Sequence, residues 1–402
     1  MNETVDVLII GAGQAGLAVS HELAALDVEH VVLDRGRVAQ TWRDRWDSFR
    51  LVTPNATIRL PGGVYAGDDP DGFLPKDEIV RHFERWAASF DAPVREGVTV
   101  TSLEADDARF RLQTSDGALH ARSVVVCSGA YQRPHRPIGV SAHDIVELDA
   151  TGYTNEAALP PGKVLVVGSG QTGCQLAEEL HEAGRAVVLA CGRAPWAPRR
   201  LDGRDIILWL IDTGFYDQRT EDLPSPAARL VANVQTTGHH GGRDLNYRVL
   251  RDAGVTLAGH FLGAGDGRLQ FAPDLADSVA FGDTRYAELR ALITDHCSRN
   301  EIEVPELPDP PPFDSAAPEH LALDGFGAVI YTSGFRPDYA SWMRVDAFDD
   351  MGFPVQQDGA SAAIPGLYFC GVHFLRKRKS SLLMGVGEDA AIVANAIAAR
   401  PA

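Results

Sequence analysis

Two glycine-rich turns offer the clearest chemistry. The first is Gly11-Ala12-Gly13-Gln14-Ala15-Gly16, set between an apolar run and a helix-like segment. In such a GxGxxG turn the first glycine makes the tight bend and the second lets backbone approach a pyrophosphate. The third lets the helix pack against the sheet. The helix start then presents free N–H groups and a partial positive charge to the phosphates. Asp34 stands 23 residues after Gly11, with Arg35 beside it, where an acid accepts hydrogen bonds from ribose hydroxyls. FAD has a free ribose 2′-hydroxyl, so this is the expected FAD site. The alternative is a glycine turn that holds no ligand.

The second turn, Gly168-Ser169-Gly170-Gln171-Thr172-Gly173, begins 157 residues later. The same 23-residue step lands on Cys191, and Arg193 follows. An acid there would repel a ribose 2′-phosphate, whereas arginine pairs with one bidentately, so this site is expected to prefer NADPH to NADH. Arg199 and Arg200 lie beyond, and the alternative for all three is a solvated face. Two dinucleotide sites in one chain point to hydride transfer between a nicotinamide and a flavin.

Both turns need buried strands behind them. Residues 5–10 and 164–167 are continuously apolar, as parallel strands covered on both faces are. Residues 77–90 have helical spacing (Ile79, Phe83, Trp86, Ala87). Residues 98–103 and 108–112, with a turn at 115–117, suggest a β meander. A buried strand at 123–127 ends in Ser128-Gly129. Prolines at 134, 137, 160 and 161 mark a crossover, and five more within 304–314 mark a second boundary. Strands follow at 328–332 and 366–370, then a helix over 385–399. The expected fold is α/β, two Rossmann-like dinucleotide-binding domains with the NADP domain inserted in the FAD domain. The FAD domain takes 1–150 and 315–402, and the NADP domain 151–314, with a helical insertion at about 198–245.

Composition narrows the class. Apolar residues make up 45% and charged residues 23% of the 402, which excludes a disordered or fibrous chain. A net charge of −18 argues against a nucleic-acid partner or an anionic membrane surface. The five cysteines form no CxxC pair, so neither a zinc knuckle nor a dithiol centre of that spacing is present. His239-His240 lacks a spaced third ligand, and no metal is expected. The acidic start and the lack of an apolar stretch of ~18–20 residues suggest a cytoplasmic protein.

Six segments carry a family resemblance: GAGQAG (11–16), TWRDRWDSFRLVTPN (41–55), VVVCSGAYQRPHRP (124–137), VLVVGSGQTGCQLAEEL (164–180), YTSGFRPD (331–338) and GLYFCGVHF (366–374). Together they resemble the single-component class B flavin-dependent monooxygenases, including the flavin-containing monooxygenases and their plant auxin-forming relatives. A bacterial group of flavin-dependent oxidoreductases of this length is most similar. The resemblance implies that Thr41, Trp42, Arg43 and Trp46, with Asp47, lie along FAD. From the residues alone, two tryptophans four apart among arginines also fit a helix face packed on the core. Asn55 falls where the family places an asparagine near the flavin C4a and the nicotinamide, and is the catalytic candidate; a turn role after Pro54 is the alternative. The segments 128–130, with Gly129, and 333–337 resemble paired interdomain hinges. Gly371 closes the last flavin strand, and Gly385 opens a helix that the resemblance aims at the flavin pyrimidine edge. Two features depart from the family. In its FxGxxxHxxx(Y/F) signature Tyr153 is kept, but His143, Ile145 and Asp149 replace the other three residues. Val372 and His373 follow Gly371 where an aspartate is usual.

The implied function is an FAD-dependent, NADPH-consuming monooxygenase. It would insert one oxygen atom from dioxygen into a small-molecule N, S or carbonyl substrate, through a C4a-(hydro)peroxyflavin. An NADPH oxidase or quinone/dye reductase of the same fold is one alternative, and a non-catalytic flavin-bound redox sensor another. The cations at 376–379 either guide an anion or form a solvated loop.

Overall fold

The computed structural model describes residues 3–106, 109–140 and 145–400. Ala108, expected to open a strand, and His143 of the signature lie outside them. The chain begins with β1 (Glu3–Ile10), the first glycine turn, α1 (Gln14–Ala25) and β2 (His30–Asp34). Next come α2 (Lys76–Ser89) and β3 (Val94–Glu96), then the meander β4 (Val100–Asp106), β5 (Arg109–Thr114) and β6 (Gly117–Val126). The chain crosses through β7 (Arg133–Pro134) into β8 (Val146–Asp149), β9 (Lys163–Val167), α3 (Gln171–Glu182) and β10 (Val187–Ala190). After an insertion carrying α4 (Ile206–Asp212) come β11 (Thr256–Ala258), α5 (Leu275–Asn300) and β12 (Phe326–Tyr331). It returns through β13 (Phe335–Arg336) to β14 (Leu367–Phe369) and α6 (Val386–Ala398).

Two parallel sheets result. The first runs β3-β2-β1-β6-β14, with β5 and β4 added antiparallel on the N-terminal half of β6. The second runs β8-β12-β9-β10-β11, all parallel. In β1 and β9 the last four residues are buried without alternation, because helices cover one face of each sheet and strands and loops cover the other. The crossings β7 and β13 pair antiparallel, Phe335 opposite Pro134, so the chain just after 128–130 lies beside the expected hinge at 333–337.

Pairing corrects the expected boundaries. β8 and β12 both belong to the second sheet, so that unit starts before 151 and continues past 314. Prolines mark where the chain turns, but only pairing decides which sheet a strand joins. The insertion also differs from a helical one. It holds the seven-residue α4, a small hairpin of Arg200–Leu201 with Arg204–Asp205, and several short 3-10 turns. Pro224, Pro226 and the glycines at 238, 241 and 242 interrupt any longer helix.

Candidate active site

Both glycine turns leave the C-terminal ends of parallel strands, where open α/β sheets bind ligands. Gly11 has φ +110°, and a side chain there would strike the Cys127 carbonyl. A methyl on Gly16 would strike the Gly11 carbonyl, so this glycine sets how closely α1 lies on the sheet. Gly13 differs, because a Cβ there meets nothing within 4 Å. Its space is open on the side where a pyrophosphate would approach. Neither α1 nor α3 has a side-chain N-cap or an acid in its first turn, which leaves their leading N–H groups for an anion.

Asp34 accepts the Ala12 N–H at 2.7 Å through Oδ2 and the Gly36 N–H at 2.8 Å through Oδ1, which fixes the carboxylate beside the turn. Arg35 is exposed, and Gly129 has φ +89° with open space before it. Gly371 leaves room for Ala15, since a Cβ there would come 2.5 Å from that side chain. Gln14 donates Nε2 to the Ser381 carbonyl at 2.5 Å, tying α1 to the loop before α6.

The 41–55 stretch divides. Trp46 is 3% exposed, edge-on to Phe49, and its Nε1–H is buried without a partner. Arg45 lies 5.5 Å from the centroids of both Phe49 and Tyr131; burial lowers its pKa, and its Nε is also unpartnered. Such orphaned donors cost about 1–3 kcal/mol unless a ligand satisfies them. With the space at Gly13, they fit a dinucleotide threaded through this unit. Arg45 escaped sequence reading because nothing set it apart from neighbouring arginines. Thr41 is exposed, and Trp42 packs on Phe49 and Phe83. Arg43 donates to the Val38 carbonyl and Glu84, so two of its donors fasten a short helix.

Asn55 is 1% exposed. Its Nδ2 donates to the Asp69 carbonyl at 2.8 Å, and its Oδ1 accepts the Leu74 N–H at 2.7 Å. The amide therefore pins the 69–74 loop and keeps one N–H and one lone pair for other partners.

The second turn repeats the first. Gly168 has φ +101° against Thr332, and a methyl on Gly173 would strike the Gly168 carbonyl. Arg193 follows β10, exposed and without a partner among the described residues. Arg199 and Arg200 do not join it. Arg199 is 2% exposed, pairs with Asp205 at 2.7 Å, donates to the Val52 carbonyl and covers the Phe73 ring. Arg200 bonds the Gly241 and Gly242 carbonyls.

Contacts distant in sequence join the units, and only the fold reveals them. Glu179 of α3 accepts the Tyr153 hydroxyl at 2.8 Å and the Ser48 hydroxyl. Tyr153 is the kept signature residue, while Asp149 in the histidine's place holds Arg136 through two bonds. A cavity of about 470 Å³ opens beside Ser48, Arg50 and His239–Gly241. His239 contacts the Ser48 carbonyl through Nε2 at 2.8 Å, and no metal-ligand cluster exists among the described residues.

The cations at 376–379 are neither a guide nor a solvated loop. Arg376 pairs with Asp358 and Asp389, and Lys377 and Lys379 both pair with Asp217 and Glu388. Arg378 stacks between Phe215 and Phe374. The start of α6 after Gly385 thus carries its own acids, Glu388 and Asp389, and its own cations. A flavin edge there would meet a neutralised helix end, which weakens the expected dipole effect.

Burial, with Arg378 and Arg229 nearby, holds the His373 pKa down at about 4. The ring is neutral at physiological pH and is no proton donor there. Its ordinary value is 6.5, so between 6.5 and 4 the unfolded chain binds a proton that the folded one refuses. Stability should fall as pH drops through that window, by up to about 3 kcal/mol. Denaturant unfolding of His373→Gln should show this portion of the acid loss removed.

Two parallel sheets, each with a dinucleotide-type turn, define an oxidoreductase of the two-nucleotide class. The chain belongs to the pyridine nucleotide-disulphide oxidoreductase family, whose profile matches residues 8–210. A CzcO-like oxidoreductase of Geobacillus kaustophilus is 29% identical over 99% of both chains. Indole-3-pyruvate monooxygenase YUCCA1 of Oryza sativa subsp. japonica is 32% identical over 44% of this chain and 45% of its own. A doubly substituted flavin monooxygenase from Stenotrophomonas maltophilia shares the fold over 99% of both chains, at TM-score 0.69 and 17% identity. The resemblance to flavin monooxygenases is borne out. No helix among the described residues is long and apolar enough to cross a membrane.

Proposed function

We propose that this chain is an FAD-dependent, NADPH-consuming monooxygenase that transfers one oxygen atom of dioxygen to an N, S or carbonyl centre of a small molecule. The observation that carries this reading is the pair of turns with opposite partners, a carboxylate at Asp34 and a free guanidinium at Arg193. The likeness to flavin monooxygenases supports the oxygen chemistry. Bound FAD would supply hydride acceptance and oxygen activation.

The chain's own residues bind, orient and exclude water. Gly11, Gly13, Ala15 and Gly16 with the α1 N–H groups take the FAD pyrophosphate, and Asp34 takes the ribose. Trp46 Nε1 and Arg45 Nε donate to the buried part of that cofactor. Gly168, Gly170, Thr172 and Gly173 take the NADPH pyrophosphate, and Arg193 its 2′-phosphate. The remaining Asn55 N–H holds developing negative charge near the reacting centre, while Trp46 and Phe49 keep water out.

Each turnover should consume one NADPH and one dioxygen and give one oxygenated product and one water. Measuring NADPH, dioxygen, product and hydrogen peroxide together across candidate substrates tests this. Peroxide equal to NADPH with every substrate would contradict monooxygenation and favour the oxidase. That second reading draws on Asp149, which stands in place of the signature histidine and is paired to Arg136. Asn55→Ala should keep NADPH oxidation but cut product per NADPH about tenfold, the worth of one hydrogen bond to a charged group. Unchanged coupling would remove Asn55 from the mechanism.

A further inference from the structure

One segment of the insertion lies where a ligand is expected. Residues 229–237 run from the first unit across the second glycine turn. At the near end the Arg229 guanidinium sits 5.0 Å from the Phe353 ring centroid, with Asp349 at 3.7 Å, and Leu230 packs on the apolar cluster of the first sheet. At the far end Gln235, 1% exposed, bonds the Pro195 carbonyl through its N–H and donates Nε2 to the Ser169 carbonyl, each at 2.8 Å. Gln171, the first residue of α3, donates to Thr236 Oγ1 at 2.7 Å and to the Val234 carbonyl at 3.2 Å.

Between these ends, the Ala232 side chain lies 3.6 Å from where a Cβ on Gly170 would sit. The two turns therefore differ at the one glycine whose purpose is to let a pyrophosphate approach. At Gly13 that space is open, whereas at Gly170 a Cβ would already be in van der Waals contact with Ala232, so a larger pyrophosphate would press on that side chain. The first side chain of α3 is also spent on the same segment.

The two ends are held unequally. Gln235, Thr236 and Thr237 are at most 2% exposed, whereas Val231 is 46% exposed. Ala232 and Asn233 make no backbone hydrogen bond among the described residues. At the Arg229 end the side chain is held weakly, since its Nε is buried without a partner and its acid lies beyond hydrogen-bond range, while its backbone is bonded to the His373 ring. Pro224 and Pro226 stiffen the chain just before it. Few bonds and high exposure mark a segment that opens locally at low cost.

We propose that residues 229–234 form a strap over the second nucleotide turn, released at its Arg229 end and hinged at 234–235, which the entering nucleotide must lift. This rests on the reading of that turn as the NADPH site. The strap makes nucleotide affinity depend on a contact in the other unit, because part of the binding free energy is spent on opening.

Limited thermolysin digestion of the FAD-loaded protein, with and without NADP⁺, tests the proposal alongside calorimetric titration. Cleavage at 230–232 should be at least tenfold faster with NADP⁺ bound. Arg229→Ala should show that faster cleavage without nucleotide and bind NADP⁺ several-fold tighter. If NADP⁺ binds wild type and Arg229→Ala equally, with cleavage at 230–232 unchanged, the strap is overturned and the NADPH site stands. If NADP⁺ binds neither protein, the site assignment fails and the strap fails with it.

Discussion

Gly13→Val should give a folded polypeptide without flavin. Gly13 has φ −87° and ψ −166°, extended backbone that valine adopts readily, and a Cβ there meets no protein atom within 4 Å. The added Cβ therefore clashes with no protein atom, while a pyrophosphate loses its approach to the α1 N–H groups. Hydrogen bonds to a charged group are worth about 1.5–3 kcal/mol each, so losing two lowers FAD affinity about 100-fold or more. Flavin absorbance per chain after reconstitution measures this, and the melting temperature of the flavin-free chain should stay within a few degrees of wild type. Gly16→Ala is the counterpart, because its methyl strikes the Gly11 carbonyl and should destabilise the flavin-free chain itself. A Gly13→Val protein that retains wild-type flavin would break the assignment of the first turn.

Arg193→Ala should abolish the preference for NADPH over NADH. Arg199 is buried against Asp205 and Phe73, and Arg200 is bonded to two carbonyls, so neither is spare for a phosphate. Arg193 is exposed just past the end of β10, the strand whose end reads the ribose in this fold. A bidentate arginine–phosphate pair supplies about 1.5–3 kcal/mol, so KM for NADPH should rise about 10–100-fold while KM for NADH stays put. Arg200→Ala should leave nucleotide choice unchanged. Undiminished preference in Arg193→Ala would show that other residues read the 2′-phosphate.

What the sequence made legible was local. Unbroken apolar runs disclosed parallel strands, and the glycine spacing disclosed both turns, because each is set by neighbours within a few residues. The hinges at 128–130 and 333–337 were placed by resemblance; the pairing that joins the two crossings involves 133–134 and 335–336. Partners distant in the chain were not legible. Three of the four cations at 376–379 face acids at 217, 358, 388 and 389, and only folding shows that the insertion brings Asp217 to the two lysines. Asn55 was visible as an amide, but its hold on Asp69 and Leu74 was not. The domain boundaries were misplaced for the same reason, since β8 and β12 join their sheet by pairing across about 180 residues. Arg45 and Trp46 became informative only once their donors proved buried and unpartnered.

Anaerobic titration of the purified, FAD-reconstituted protein with NADPH tests the central claim most directly. The expected result is a yellow protein whose oxidised-flavin absorbance bleaches fully with one equivalent of NADPH and returns when air is admitted. A chain that takes up no flavin, or a yellow protein that neither NADPH nor NADH bleaches, would contradict it.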